Sequence, residues 1–193
     1  MSELRTAVLA AVATRIDALP RPALVGVDGV TAAGKTTFAD ELVALVSPPA
    51  VRISVDDFHR PEAERHARGH GPESYYHDTF DLPGVRAALG RVDAQAVAIV
   101  DGVFLLRPEL ADLWDLTIFL AADRAVALER AIVRDAARMN GVEAARARYA
   151  SRYVPGETLY LEAVDPETRA DVVIDTTDPR RPRLIQTCPV PGT

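Results

Sequence analysis

A glycine-rich segment near the N-terminus has the residue types and spacing of a phosphate-binding loop. Gly29 to Thr36 match the pattern G-x-x-x-x-G-K-[ST] in full, and the apolar run 23–28 precedes them. Glycines let backbone N–H groups turn inward to form a concave anion site, and the following helix adds its positive N-terminal end. The residues predicted to bind the phosphates of a nucleotide are Gly29, Thr31, Ala32, Ala33, Gly34, Lys35, Thr36 and Thr37.

Lys35 and Thr36 carry the most specific chemistry of this segment. The sequence contains 22 Lys plus Arg, and Lys35 is the only lysine among them. A lysine presents a compact charge that reaches the β- and γ-phosphates, whereas the longer, planar arginine fits that niche poorly. The Thr36 hydroxyl is a ligand that suits Mg²⁺. We therefore predict that ATP and Mg²⁺ bind here and that Lys35 also acts in catalysis.

Asp101 is a second candidate ligand for the metal. It follows the apolar run 97–100, which is the Walker B pattern of a carboxylate at the end of a strand. The C-terminal ends of parallel strands meet at one edge of a sheet, so we expect Asp101 near Thr36. The alternative is that Asp101 caps the segment that follows it.

A helical hairpin after residue 123 is rich in arginine and predicts a lid over about 134–155. Arg130, Arg134 and Arg138 are spaced i, i+4, i+8 and therefore share a helix face. Arginine forks are suited to stabilising the charge of a transferring phosphoryl group, so we predict catalytic roles for Arg134 and Arg138. The alternative is a solvated helix face on which these arginines pair with carboxylates such as Asp135.

Asp56 and Asp57 follow the second predicted strand, 51–55, and one of them is a candidate base. A kinase needs a carboxylate to orient and deprotonate the acceptor hydroxyl. Adjacent residues that leave a strand point in opposite directions, so only one is expected to face the site. Asp56 is the first residue released at the edge, and we therefore assign the base to Asp56.

The segment 59–81 is expected to form a long loop or short helices over the acceptor. His66 and His70 have the i, i+4 spacing of zinc ligands, but no third ligand is evident in the sequence. Tyr75 and Tyr76 could stack on a base or anchor the loop, and Asp78 and Asp81 could hold sugar hydroxyls or cap the helix that starts near Leu82. The residues predicted to contact the acceptor are Asp56, Phe58, His59, Tyr76, Asp78 and Arg130.

The elements that must position these residues alternate between short apolar runs and helical patterns. This alternation predicts an α/β fold with a five-stranded parallel sheet flanked by helices. The predicted strands are 23–28, 51–55, 97–100, 116–120 and 170–175. We predict an N-terminal helix within 1–22 that packs on the domain, a main domain over 23–178, and a loosely ordered tail over 179–193.

Composition excludes several partners. The 193 residues carry a net charge of −6, which disfavours nucleic acid and anionic lipid, and no apolar run has the length of a membrane span. Cys188 is the one cysteine, which favours a reducing, cytoplasmic setting. Homo-oligomerisation is left open.

The motifs together resemble the uridine kinase and phosphoribulokinase group of P-loop kinases over residues 23–176. Ser54-Val55-Asp56-Asp57-Phe58-His59 resembles the family's S-x-D-x-F-Y segment, whose first aspartate is the catalytic base, which implies Asp56, and Asp57-Phe58-His59-Arg60-Pro61 is similar to nicotinamide riboside kinases. Asp101-Gly102-Val103-Phe104 resembles the segment after strand three, and Arg130 to Asp135 resembles the start of the lid. The pyrimidine-recognising Y-D-F-x-x-H-x-R segment is absent from this sequence, which implies a missing or rebuilt base pocket.

The resemblance implies a nucleoside-kinase-like P-loop NTPase fold and transfer of the γ-phosphate of ATP to a nucleoside-like small molecule. Within enzymes, the alternative is a nicotinamide riboside, pantothenate or sugar-acid kinase. From another class, the alternative is a non-catalytic ATP-binding switch. The missing N-K-x-D motif argues against a GTPase.

Overall fold

The computed structural model describes residues 2–67 and 69–187, and these form one sheet with helices on both sides. The strands are β1 Ala23–Gly29, β2 Ala50–Ser54, β3 Val97–Asp101, β4 Leu116–Ala121, β5 Val172–Asp175 and β6 Arg183–Thr187. The helices are α1 Glu3–Asp17, α2 Lys35–Leu45, α3 Glu62–Arg65, α4 Pro72–Asp78, α5 Leu82–Leu89, α6 Arg124–Asp135, α7 Val142–Arg148, α8 Val154–Val164 and α9 Pro166–Arg169. None of these helices is long and apolar enough to cross a bilayer.

The sheet has the strand order β2-β3-β1-β4-β5-β6. The first five strands all pair in parallel, which confirms the predicted α/β class. The predicted strand count is wrong, because β6 adds a sixth strand that runs antiparallel to β5. Part of the tail that was predicted to be loosely ordered is therefore a strand, because β5 has an edge with which β6 can pair. At that edge the Arg183 guanidinium donates a hydrogen bond of 2.6 Å to the Asp175 carboxylate. Cys188 lies outside the described residues.

The central strands bring the candidate site together. Every residue of β3 is buried, and β1 is buried except for Leu24, as expected for parallel strands covered by helices on both faces. Val27 of β1 and Ser54 of β2 both pair with Asp101 of β3. The C-terminal ends of three neighbouring strands therefore lie at one edge of the sheet, with the glycine-rich loop directly after β1.

The helices of the lid have well-defined ends. Asp123 caps α6 by accepting hydrogen bonds from the backbone N–H groups of Ala125 and Val126. The helix ends at Asp135, and Arg138 lies in the turn beyond it. A π-helical turn, Tyr149–Tyr153, leads from α7 into α8 and changes which side chains face inward.

Candidate active site

A cavity of about 890 Å³ lies at the C-terminal edge of β1, β2 and β3. The predicted residues that line it are Thr31, Ala32, Gly34, Lys35, Thr36, Thr37, Asp56, His59, Asp101, Arg130, Arg134 and Arg138. Gly29, Ala33, Phe58, Tyr76 and Asp78 were also predicted to contact ligands but are not among its lining residues. Arg65, His66, Tyr75, Arg148 and Arg152 line the cavity as well, and the sequence had assigned none of them to the site.

The phosphate-binding loop depends on two glycines. Gly29 has a φ of +152°, and a Cβ there would lie 2.5 Å from the carbonyl oxygen of Leu120 on β4. Gly34 has a φ of +92° directly before α2, a conformation that side chains rarely adopt. The loop needs Gly29 because a side chain would not fit there, and Gly34 because of its backbone conformation. The Ala33 carbonyl oxygen accepts a hydrogen bond of 2.9 Å from the Thr176 hydroxyl, which ties the loop to the end of β5.

The Lys35 side chain folds back and contacts the phosphate-binding loop. Its Nζ donates hydrogen bonds of 2.9 Å to the carbonyl oxygens of Gly29 and Val30. Burial lowers the pKa of Lys35, and the nearby carboxylates of Glu157 and Asp28 oppose that shift. The ammonium group is thus held at the loop with anionic neighbours, where the phosphates of a nucleotide would supply a stronger counter-charge.

Thr36 and Asp101 form a pair of oxygen ligands suited to a hard divalent cation. The Thr36 hydroxyl donates a hydrogen bond of 2.8 Å to Oδ2 of Asp101, whose residue surface is only 2% exposed. The Arg52 Nε donates to the other carboxylate oxygen at 2.7 Å. One carboxylate and one hydroxyl fit Mg²⁺, which retains waters and takes further ligands from phosphates. Among the described residues there is no cluster of three or more His, Cys, Asp or Glu side chains that would form a complete metal cage.

Asp28 is a buried carboxylate that fixes the end of β1. Its oxygens accept hydrogen bonds from the backbone N–H of Gly29 at 2.6 Å and of Leu106 at 3.1 Å, and a short one from the Tyr160 hydroxyl. Burial raises the pKa of Asp28, while these donors oppose the rise. Asp28 is fully enclosed and every contact is internal, so its role is to hold the loop after β1 against α8.

Glu157 of α8 contacts the phosphate-binding loop directly. Its Oε1 accepts a hydrogen bond of 2.9 Å from the Thr31 backbone N–H and a shorter one from the Thr31 hydroxyl. Burial raises the pKa of Glu157, and the Thr31 hydroxyl and the charge of Lys35 oppose the rise. The loop therefore already holds one carboxylate of the protein, a feature that no local sequence pattern indicated.

Asp56 and Asp57 lie in the 3₁₀ turn Val55–Phe58 and are both exposed. Asp56 lines the cavity, whereas Asp57 is not among its lining residues. His59 also lines it, and its Nδ1 lies 2.6 Å from the backbone carbonyl oxygen of Asp56. Of the two aspartates only Asp56 therefore borders the cavity, and its role as the base stays a prediction.

The two lid arginines share one carboxylate. The Arg134 Nε and Nη2 each lie 3.0 Å from Asp135 oxygens, and the Arg138 Nη2 lies 3.3 Å from Oδ2. The Tyr149 hydroxyl donates to the same Oδ2 at 2.6 Å. Burial alone would raise the pKa of Asp135, but the hydrogen bonds from Arg134 and Tyr149 outweigh it and lower the pKa to about 2. Both guanidinium groups stay more than half exposed beside the cavity, so the salt-bridged arrangement and a role toward phosphate are compatible.

The residues between β2 and β3 occupy different positions from those predicted. Tyr76 is 6% exposed and packs in an aromatic cluster with Phe104 and Tyr160. Its neighbour Tyr75 faces the cavity instead, because α4 turns that side of the helix toward the loop. Phe58 packs against the core, and Asp78 is buried at the end of α4.

Arg130 of α6, which was also predicted to contact the acceptor, lines the cavity, and its Nη1 donates to the carbonyl oxygen of Thr176 at 3.3 Å.

Comparison with known proteins agrees with this architecture. No protein-family model matches the chain. A protein from Bacillus stearothermophilus described as a possible uridine kinase matches with a TM-score of 0.67 and 22% identity, over 88% of this chain and 96% of that chain. A Silicibacter protein provisionally described as a fructose transport system kinase matches with a TM-score of 0.68 and 24% identity, over 81% of this chain and 94% of that chain. The predicted nucleoside-kinase-like fold is therefore confirmed: the chain has the fold of uridine kinase-like P-loop kinases.

Proposed function

We propose that the protein is an ATP-dependent kinase that transfers the γ-phosphate of ATP to a hydroxyl group of a small molecule. The observation that carries this proposal is the meeting of three parts in one cavity. These parts are Lys35 on its glycine loop, the oxygen pair of Thr36 and Asp101, and the carboxylate of Asp56 on the facing wall.

Each residue has a role that follows from its position. The amide groups of the loop and Lys35 bind the phosphates, and Asp56 orients the acceptor hydroxyl. As the new bond from the acceptor oxygen to the γ-phosphorus forms, the bond from that phosphorus to the β–γ bridging oxygen breaks, ADP leaves, and Asp56 takes the hydroxyl proton. Arg134 and Arg138 face the transferring group and stabilise its charge. Thr36 and Asp101 would hold Mg²⁺, which neutralises phosphate charge when bound.

The acceptor is a small molecule. The sequence resemblance favours a nucleoside-like acceptor, and one matched structure is described as a possible uridine kinase. A pantothenate or sugar-acid kinase is the second candidate, because Arg152 lines the cavity as a buried cation. The single cysteine favours a cytoplasmic enzyme, and the net charge of −6 disfavours nucleic acid and anionic lipid as partners.

Substitution of Lys35 tests the proposal. We expect Lys35→Ala to remain folded but to lose at least about 10²-fold in kcat, because one charge at the transferring phosphate is worth about 3 kcal/mol or more. ADP release with a set of small alcohols, with and without each alcohol, measures turnover and separates a kinase from an ATP-binding switch. Arg146→Gln is the control, since Arg146 lies in the lid but pairs with Glu129 at 2.6 Å and does not line the cavity. Turnover of Lys35→Ala near the wild-type rate would contradict the mechanism.

A further inference from the structure

Two arginines and a histidine line the cavity beside the residues to which phosphoryl transfer has been assigned, and none of the three has a role in the transfer step. We call Arg65, His66 and Arg152 the cationic wall. Arg65 ends α3, His66 follows it, and Arg152 comes from the π-helical turn of the lid. All three line the cavity.

Arg152 is the most unusual member of the cationic wall. It is only 3% exposed, yet no carboxylate of the described residues lies within ion-pair distance of its guanidinium. Its Nη1 donates to the Ser74 hydroxyl at 2.9 Å and to the Gly71 carbonyl oxygen at 3.3 Å, and its guanidinium carbon lies 5.7 Å from the centre of the Tyr75 ring. A buried guanidinium held only by neutral groups is costly unless an anion joins it.

Arg65 and His66, the other two members of the cationic wall, also lack a strong anionic partner in the described part of the chain. The Nε of Arg65 is buried and has no hydrogen-bond partner among the described residues. The His66 ring lies 4.1 Å from the ring of His70, and the pKa of His66 is lowered by burial and by the charges of His70 and Arg152. The lowered pKa favours the neutral form of His66, so Arg65 and Arg152 supply the positive charge of this wall and the His66 ring supplies an N–H donor.

Neither the carboxylates near the cationic wall nor the phosphates of ATP supply a strong counter-charge for it. Glu62 is 80% exposed and lies 3.8 Å from the His66 Nδ1, which makes it a weak counter-charge. Lys35 and Arg134 belong to the loop after β1 and to α6, and they provide cations for the donor. Arg65 and His66 belong to the segment after β2, which also carries the proposed base Asp56, and Arg152 reaches the same cavity from the lid.

We propose that Arg65, His66 and Arg152 form an anion-binding subsite, and that the acceptor is a small alcohol that carries a carboxylate or a phosphate. This inference rests on the proposed kinase function and narrows its acceptor class. An anionic group paired with Arg152 fixes one end of the acceptor and leaves its hydroxyl free to meet Asp56. A neutral nucleoside would leave the buried guanidinium without a counter-charge.

Calorimetry on the full chain, saturated with Mg²⁺ and a non-hydrolysable ATP analogue, tests the subsite. The probes are two matched pairs: pantothenate against pantothenol, and ribose 5-phosphate against ribose. We expect at least one anion to bind about tenfold or more tightly than its neutral partner, and the pair that shows the preference distinguishes carboxylate from phosphate. If the analogue binds but neither anion is preferred, the subsite is wrong and the kinase proposal stands. If the analogue does not bind, both fail.

Variants locate the effect. Arg152→Gln and Arg65→Gln should each weaken the preferred anion about 10- to 100-fold, the usual worth of a hydrogen bond to a charged group, and leave the affinity for the ATP analogue unchanged. Arg65→Gln keeps the test decisive if Arg152→Gln does not fold. Arg146→Gln makes the same change in net charge at an exposed ion pair and should change neither affinity. Equal losses in Arg146→Gln, or a loss confined to the ATP analogue, would overturn the subsite.

Discussion

Glu157→Gln should strengthen ATP binding. Glu157 places a carboxylate 2.9 Å from the Thr31 backbone nitrogen of the loop that the phosphates must approach, and it interacts with Lys35. Glutamine keeps an oxygen that accepts both Thr31 hydrogen bonds, so the loop keeps its position while the charge is removed. At a separation of about 8 Å and an effective dielectric constant of about 20–40, the repulsion removed is on the order of 1–2 kcal/mol for each phosphate charge.

The expected result is a Kd for ATP about 5- to 30-fold lower at pH 8, where Glu157 is most fully ionised, because about 1.4 kcal/mol is a factor of ten. Fluorescence titration with a labelled ATP analogue and competition by ATP measures it. Glu162→Gln is the matched control, because Glu162 is an exposed residue of the same helix and its change in net charge is identical. An unchanged or higher Kd in Glu157→Gln, with the melting temperature preserved, would refute the electrostatic argument.

Three further predictions concern the base, the buried hydrogen bond and the lid. Asp56→Asn should lower kcat about 10²- to 10⁴-fold at saturating ATP and acceptor, and Asp57→Asn much less; the reverse order would move the base to Asp57. Tyr160→Phe should reduce the free energy of unfolding by about 1.5–3 kcal/mol in urea, because Asp28 loses a charge-assisted donor, and a loss below about 0.5 kcal/mol would contradict that account. The pKa of Asp135 is lowered to about 2 from the ordinary 3.8, so its stabilisation is present above pH 4 and is lost as the pH falls through about 2. Asp135→Asn should remove about 1 kcal/mol of that acid dependence, after allowance for solvent screening, and identical acid unfolding of the two proteins would exclude it.

Local chemistry explains what the sequence predicted well. The loop from Gly29 to Thr36 works through adjacent glycines, a lysine and a hydroxyl, so its pattern is legible without knowledge of the fold. Asp101 was placed near Thr36 because parallel strands share one edge, and the two side chains lie 2.8 Å apart. The first inference needed only the local pattern of residues, and the second needed only that the strands run parallel.

Contacts between distant elements explain what the sequence did not predict. Glu157 and Thr31 are 126 positions apart, and Arg52 and Asp101 are 49 apart, so no window of the sequence contains either pair. The sixth strand depends on a free edge of the sheet rather than on its own composition. Tyr75 lines the cavity and Tyr76 packs in the core, the reverse of the choice made for the acceptor contacts. Which of the two faces the cavity depends on how α4 is rotated against α8, and the sequence pattern does not determine that rotation.

One segment of the lid, residues 149–160, joins the separate parts of the site. Its π-helical turn carries Arg152 at the cationic wall, and its helix carries Glu157 on the phosphate loop and Tyr160 on Asp28. The contact with α4 is close, since a Cβ at Gly156 would lie 2.7 Å from the Tyr75 ring. Arg152, Glu157 and Tyr160 lie on one continuous helical stretch, so the proposed anion subsite and the phosphate-binding loop contact the same element. Sequence patterns did not indicate the contacts of Arg152 or Glu157, because their partners lie on distant segments of the chain.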